Sequence, residues 1–336
     1  MLIKLLKQWN LFEKPGDHKI HQDFTPSMGG ICIILGVIFT LLISFHLQEW
    51  IHLKYFFVAM AIMVITGLRD DILALDPVRK LIGQFLPILI LVVFGNVYLN
   101  SFYGTFDSVV FPTGLGWLIT IFTIIILTNA YNLIDGLDGL AGTIGFVILL
   151  FFGCWFYFAG YPYLSILAFA FCGSILAFLI FNWQPSKIFM GDTGALAIGL
   201  LLSYLSIHFI NINYSLPQNH PAHFEASIGT AVCVLIIPIF DTLRVIILRL
   251  RRFESPFHAD RNHLHHQFLN LGFSHSGATL ILGGLNISFM GLAWILRNNS
   301  DRLILPVAIA ICLVINQILK VAQKKHGDDR GKSSIS

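Results

Sequence analysis

Charge is what this chain has least of. Asp, Glu, Lys and Arg make up 12% of its 336 residues, about half the roughly 25% of a soluble globular domain. With 56% hydrophobic residues and a mean hydropathy of +0.77, that scarcity excludes an ordinary soluble domain and excludes disorder. The net charge is only +3, so the balance points to no nucleic-acid partner. Cys32, Cys154, Cys172, Cys233 and Cys312 all lie inside apolar runs and form neither a CxxC pair nor a disulfide-like framework. They read as small buried hydrophobes rather than metal ligands. A secretory signal is also missing, because Lys4 and Lys7 interrupt Leu2, Ile3, Leu5 and Leu6 and no small-residue cleavage site follows. There is no Pro/Ser-rich linker and no internal repeat.

What the chain does have is long apolar runs. Ten stand out, at residues 28–49, 54–69, 81–99, 115–132, 140–159, 162–182, 192–211, 226–249, 276–296 and 302–320. Backbone in lipid must be helical unless a barrel closes, and these runs do not alternate with period two. The expected fold class is all-α, a polytopic integral membrane protein of about ten transmembrane helices. With the N-terminus inside, Lys54, Arg297 and Arg302 fall outside or at outer helix ends, and the other 18 of the 21 Lys and Arg fall inside or at the cytoplasmic ends of helices. By the positive-inside rule both termini are then cytoplasmic. The organisation is a cytoplasmic or interfacial segment (1–27), one transmembrane domain (28–320) and a polar tail (321–336), unstructured from Lys324 on.

The polar residues gather in four clusters, which that topology places on one membrane face. Asp70-Asp71, with Asp76 five residues on and Arg69, Arg79 and Lys80 beside it, is either a solvated turn or a site where carboxylates meet Mg²⁺ and a substrate phosphate. Asn129-Ala-Tyr-Asn132-Leu-Ile-Asp135-Gly-Leu-Asp138-Gly-Leu140 repeats its amides and carboxylates every three residues, so in a helix Asn129, Asn132 and Asp135 share a face. A plain Gly-rich turn needs one or two such residues rather than four. Phe189-Met-Gly-Asp192-Thr-Gly194 places Asp192 either as an N-cap or as a carboxylate offered to a metal or diphosphate. His258-Ala-Asp-Arg261-Asn-His263-Leu-His265-His266 packs four histidines into nine residues. Its spacing lacks the i, i+4 helical pair and a nearby Cys that zinc would favour, and His with Arg suits phosphate. Asp241 and Arg244 read as a structural ion pair. Lys19, ahead of Thr25-Pro-Ser-Met-Gly-Gly30, either meets a lipid phosphate or follows the positive-inside rule.

Carboxylates for a divalent cation, amides for a sugar or base, and His and Arg for phosphate together suit phosphoryl transfer between a nucleotide donor and a lipid acceptor at the cytoplasmic surface. An ion-coupled transporter fits less well, since no repeat is visible and the carboxylates gather at one face rather than the midplane. A zinc hydrolase would need HExxH, and a CDP-alcohol phosphotransferase would need D-G-x-x-A-R, which Asp135-Gly-Leu-Asp-Gly-Leu140 does not supply.

The four motifs, in this order and spanning nearly the whole chain, resemble those of the polyprenyl-phosphate N-acetylhexosamine-1-phosphate transferases. The H-x-D-R-x-H-L-H-H form is similar to the branch that uses UDP-GlcNAc. The resemblance implies that undecaprenyl phosphate attacks the β-phosphorus of UDP-GlcNAc, giving undecaprenyl-diphospho-GlcNAc and UMP, with Mg²⁺ or Mn²⁺ as cofactor. Another UDP-N-acetylhexosamine, 6-deoxy or C4-epimeric, is the alternative donor. It implies a bacterial inner membrane, a cytoplasmic active site, initiation of a cell-envelope polysaccharide such as O-antigen, and a homodimer as one open arrangement. Carried over by motif, Asp70, Asp71, Asp135 and Asp138 are the catalytic candidates. Asn129, Asn132, Arg261, His263, His265 and His266 are the donor-binding ones, Lys19 and Lys80 those for the acceptor, and Asp192 with Asp71 those for the metal. Family members usually carry a further span before Lys19, where this chain has only Leu2–Phe12, expected to be an interfacial helix or the mark of a misassigned start.

Overall fold

The computed structural model describes residues 26–105, 109–254 and 263–333. Among the described residues every named element is a helix. In chain order they are α1 (Gly29–Ser44), a short α2 (Leu47–His52), α3 (Lys54–Leu73), α4 (Pro77–Leu89), α5 (Thr113–Leu133), α6 (Leu140–Phe158), α7 (Pro162–Asn182), α8 (Gly191–Ser215), α9 (Ser227–Val234), α10 (Ile236–Arg251), α11 (Leu264–Asn270), α12 (His275–Ile295) and α13 (Asp301–Ser333).

Each of the ten apolar stretches carries a helix. Seven are long and apolar enough to cross a membrane, and α9 with α10 makes an eighth if that bent pair counts as one span. With its 16 residues, α1 reaches only about 24 Å. The 20-residue α3 is long enough but carries Arg69-Asp70-Asp71 in its last two turns. The chain is a multi-pass membrane protein, and its outer helix faces present Phe39, Ile43, Phe122 and Ile180, the surface that lipid solvates without penalty.

Three features depart from the sequence reading. The stretch 226–249 is not one straight helix but breaks after Val234 with a bend of 83°. Pro238 has no N–H for the Val234 carbonyl, and the Asn286 side-chain amide of α12 donates to that carbonyl instead, at 3.1 Å. The last helix runs on to Ser333, through the tail expected to be unstructured. Cys32 and Cys154 are exposed, while Cys172, Cys233 and Cys312 are buried. A fourth irregularity follows Pro87, where α4 loosens into a π-turn over Ile90–Phe94.

The core is α8, with 19 of its 25 residues buried. Small residues let its neighbours close on it. A Cβ at Gly199 would stand 2.8 Å from the Thr128 Cα of α5, and one at Gly30 would stand 2.2 Å from the Gly194 backbone. Its serines stay satisfied inside the helix, Ser203 donating to the Gly199 carbonyl at 2.8 Å and Ser206 to that of Leu202 at 2.6 Å. Because the spans alternate in direction, the ends of α3, α5, α7 and α10 and the starts of α1, α4, α6, α8 and α12 meet at one end of the bundle. The described residues of all four polar motifs sit there.

Candidate functional site

The start of α8 is the frame of the site. Two segments of chain meet there through three hydrogen bonds: Phe189 N donates to the Pro26 carbonyl, Gly29 N to that of Phe189 and Gly30 N to that of Met190, each at 2.9 Å. The Pro26–Gly30 run is thus the seat of the Phe189–Gly194 motif. Gly191 has φ +72°, and a Cβ on it would lie 1.8 Å from the Ser27 carbonyl oxygen, so only glycine fits. Asp71 caps α8 from another helix. Its carboxylate accepts from the backbone N–H of Asp192 at 2.7 Å and of Thr193 at 3.0 Å, and from the Thr193 hydroxyl. The sequence offered Asp192 as a cap or as a carboxylate for ligands. The helix takes its cap from Asp71 instead, and the Asp192 side chain points to other partners.

Those partners meet at Lys80. Its ammonium donates to Asp70 Oδ2 at 2.9 Å, to Asn132 Oδ1 at 3.2 Å and to Asp192 Oδ1. Asn132 Nδ2 donates in turn to Asp192 Oδ1 at 2.6 Å. Three helices (α3, α5 and α8) so contribute two carboxylates and an amide to one ammonium carried by a fourth, α4. Asp70 is buried, and its other oxygen accepts from Leu75 N at 2.8 Å. Lys80 is presented by the first turn of α4, which Asp76 caps by accepting from Val78 N and Arg79 N at 3.1 and 3.0 Å. Asp76 also pairs with Arg79 at 2.9 Å. The third carboxylate of the first cluster is thus a helix cap.

Asn129 lies one turn deeper on the face that carries Asn132. It exchanges hydrogen bonds with Gln84, Asn129 Nδ2 donating to Gln84 Oε1 at 2.8 Å and Gln84 Nε2 to Asn129 Oδ1 at 3.3 Å. Sequence reasoning missed Gln84. The available signal was a lone amide in an apolar run, one turn past Lys80. Asp135 falls beyond the end of α5, half-buried in the turn that links α5 to α6, so it does not extend the Asn129–Asn132 face as a regular helix would. Asp138 accepts from the Ser186 hydroxyl at 3.0 Å and has the His275 imidazole 3.5 Å away. Burial disfavours its charge, but these two neighbours outweigh burial and hold its carboxyl below the ordinary range. Gly139, with φ +77°, donates its N–H to Asn182 Oδ1 at 2.9 Å.

The histidine motif closes over that turn. Lys19, His258, Asp260 and Arg261 lie outside the described residues. His263 and His265 are buried, with rings nearly parallel at 8° and centroids 5.7 Å apart. His266 follows, 4.2 Å from His265. A Cβ at Gly136 would stand 2.8 Å from His265 Nε2, which brings α11 against the Asp135–Asp138 turn. Burial, then the neighbouring His266, push the His265 pKa down to about 3, so this imidazole is neutral at physiological pH. Asp241 and Arg244 pair at 3.3 Å as expected, but Asp241 also accepts from Leu264 N at 2.8 Å and has His263 Nδ1 at 2.9 Å.

Among the described residues no group of three or more His, Cys, Asp or Glu is arranged to hold a metal by itself. The oxygens of Asp70, Asp192 and Asn132, already drawn together on a cation, are hard donors. That set suits Mg²⁺, which takes one or two carboxylates and completes its shell with substrate phosphate and water.

A family model described as glycosyl transferase family 4 matches residues 53–210, the stretch that holds Asp70, Lys80, Asn132 and Asp192. An undecaprenyl-phosphate alpha-N-acetylglucosaminyl 1-phosphate transferase of Escherichia coli O157:H7 is 30% identical over 287 residues, covering 83% of this chain and 74% of that protein. A Bacillus subtilis protein named as a probable undecaprenyl-phosphate N-acetylglucosaminyl 1-phosphate transferase is 31% identical over 310 residues, covering 91% of this chain and 83% of its own.

Proposed function

The chain belongs to glycosyl transferase family 4, and from that premise we propose that it transfers N-acetylglucosamine 1-phosphate from UDP-GlcNAc to undecaprenyl phosphate. The products are undecaprenyl-diphospho-GlcNAc and UMP. The observation that carries the reading is the convergence of Asp70, Asn132 and Asp192 on Lys80, beside the turn that His265 closes. The relatives' names supply the acceptor and the sugar. The positive-inside distribution of Lys and Arg supports a cytoplasmic site in a bacterial inner membrane, and the product would open assembly of a cell-envelope polysaccharide.

The chemistry sets a charge problem. An acceptor phosphate with one negative charge approaching a diphosphate with two, near 4 Å at an effective dielectric of 20, meets about 8 kcal/mol of repulsion, on the order of six decades in rate. Lys80 counters part of it as the cation nearest the three converging side chains. Asp192, with Asp70 and the Asn132 amide oxygen, would hold Mg²⁺ or Mn²⁺, and a divalent ion supplies charge neutralisation for a diphosphate. Asp70 orients the acceptor phosphate and takes any proton it carries. The acceptor oxygen bonds to the β-phosphorus as the bond from that phosphorus to the bridging oxygen breaks, and UMP leaves with the electron pair. Asp71 holds Asp192 in place through the start of α8. His263, His265 and His266 bind the donor's diphosphate and sugar, a role the motif extends to Arg261, and Asp135 and Asp138 shape the turn beneath the histidines.

The test is transfer by purified protein given radiolabelled UDP-GlcNAc, undecaprenyl phosphate and Mg²⁺, with and without EDTA. Labelled lipid and UMP in equal amounts, both lost with EDTA, is the expected result. Product only from another UDP-N-acetylhexosamine would replace the donor, and folded protein that makes no lipid product from any donor would overturn the proposal.

A further inference from the structure

The reaction as read above leaves Asp241 without a task, yet it is among the most enclosed charged groups of the chain, with 1% of its surface exposed. It lies on α10, beyond the break that Pro238 introduces. Its partners come from two directions. Arg244, one turn on, reaches Oδ1 at 3.3 Å. From 22 residues downstream, the start of α11 brings Leu264 N to Oδ1 at 2.8 Å and His263 Nδ1 to Oδ2 at 2.9 Å. A buried carboxylate is retained at such a position only when its partners satisfy it, and two of these three belong to the histidine motif.

We propose that Asp241 is a positioning residue for the donor site: it seats α11 and fixes the orientation of the His263 imidazole. With Nδ1–H donated to Asp241, the proton is assigned to that nitrogen and Nε2 is left to face the site, the same logic by which a carboxylate orients a histidine in metal and nucleophile sites. The consequence passes along stacked rings. His263 lies parallel to His265, and His265 lies against Gly136 of the Asp135 turn. A carboxylate on α10 thereby sets how closely the histidine segment approaches the turn between α5 and α6. The backbone hydrogen bond to Leu264 N makes the arrangement specific to a carboxylate, because an asparagine can accept from one of the two N–H donors but not from both oxygens as Asp241 does.

This inference rests on the reading of the histidine motif as a donor site, and the experiment separates the two. Asp241→Asn, Asp241→Glu, His263→Ala and the double variant Asp241→Asn/His263→Ala are purified, checked for native melting, and assayed with UDP-GlcNAc and undecaprenyl phosphate varied independently. Asp241→Asn is expected to lower kcat/KM for the donor on the order of 10–100-fold, the loss typical of an orienting partner, with the acceptor KM unchanged. Asp241→Glu, which keeps the charge, is expected to restore part of that loss, and it carries the test if Asp241→Asn does not fold. In the His263→Ala background, Asp241→Asn is expected to add less than about threefold, because both act through one ring. Wild-type donor kinetics in Asp241→Asn, or an undiminished loss in the double variant, would overturn the positioning role. Wild-type kinetics in His263→Ala would instead overturn the donor-site reading on which it stands.

Discussion

The two ends of the bundle use polar side chains differently. At the end away from the motifs, buried polar groups close loops. Asp301 accepts from Gly229 N and from the Thr105 hydroxyl. Asn213 bridges the Phe224 backbone and the Ser227 hydroxyl, and the Trp155 indole donates to the Ala222 carbonyl. Each of these groups satisfies backbone or a neighbouring hydroxyl. At the motif end, two carboxylates share one ammonium, a third caps the helix that carries the second, and buried imidazoles stack beside them. A loop needs no such concentration of like charge. That concentration of carboxylates is what a divalent cation would balance.

That contrast can be broken experimentally, and the largest effect belongs to its hub. Lys80→Met removes the common partner of Asp70, Asn132 and Asp192. Lipid product formation is expected to fall on the order of 10²–10³-fold, with the protein still extracted from the membrane fraction, and a full progress curve of labelled lipid reads it out. Gly191→Ala comes next. A side chain at φ +72°, 1.8 Å from the Ser27 carbonyl oxygen, is expected to destabilise by about 2 kcal/mol or more and to lower turnover with it, because the start of α8 carries Asp192. A melting curve beside the transfer assay measures both.

The opposite end should respond in stability alone. Asp301→Ala strands the buried N–H of Gly229 and the Thr105 hydroxyl, at a cost of about 1–3 kcal/mol, while turnover per folded molecule is expected to stay at the wild-type level. Loss of transfer in folded Asp301→Ala would erase the distinction between the ends. The smallest effect concerns pH. His265, held at about 3 against an ordinary 6.5, refuses a proton that the unfolded chain accepts. Stability is therefore lost as pH falls from about 6.5 towards 3, on the order of 1 kcal/mol by pH 5.5. Thermal melts at pH 7.5 and 5.5 are expected to show a smaller difference in His265→Asn than in the wild type.

Much of this was legible in sequence, for identifiable reasons. The helical, multi-pass class follows from composition, since long apolar runs without period-two alternation leave the backbone one option in lipid, and the shared end of the four motifs follows from counting spans. Side-chain partners did not follow. Asp70 and Asp71 are adjacent and look equivalent, yet successive positions of a helix point about 100° apart, so one meets Lys80 and the other meets the start of α8. Gln84 reads as an isolated amide until the packing of α4 on α5 brings Asn129 to it. Asp241 and Arg244 are one turn apart and read as a closed pair, and the claim of His263 on that carboxylate depends on a return of the chain that no local pattern encodes. The break after Val234 had a visible cause in Pro238, but Pro in a membrane helix is often absorbed by neighbours, and here Asn286 absorbs it at the price of a bend.

Asp192→Asn tests the account most directly, because that side chain is the one the frame of Asp71, Gly191 and the Pro26–Gly30 seat exists to hold. Purified wild type and variant, matched for melting temperature, are given radiolabelled UDP-GlcNAc, undecaprenyl phosphate and Mg²⁺, and labelled lipid is counted. The account predicts EDTA-sensitive product from the wild type and none above background from the variant. Wild-type turnover in folded Asp192→Asn would contradict it.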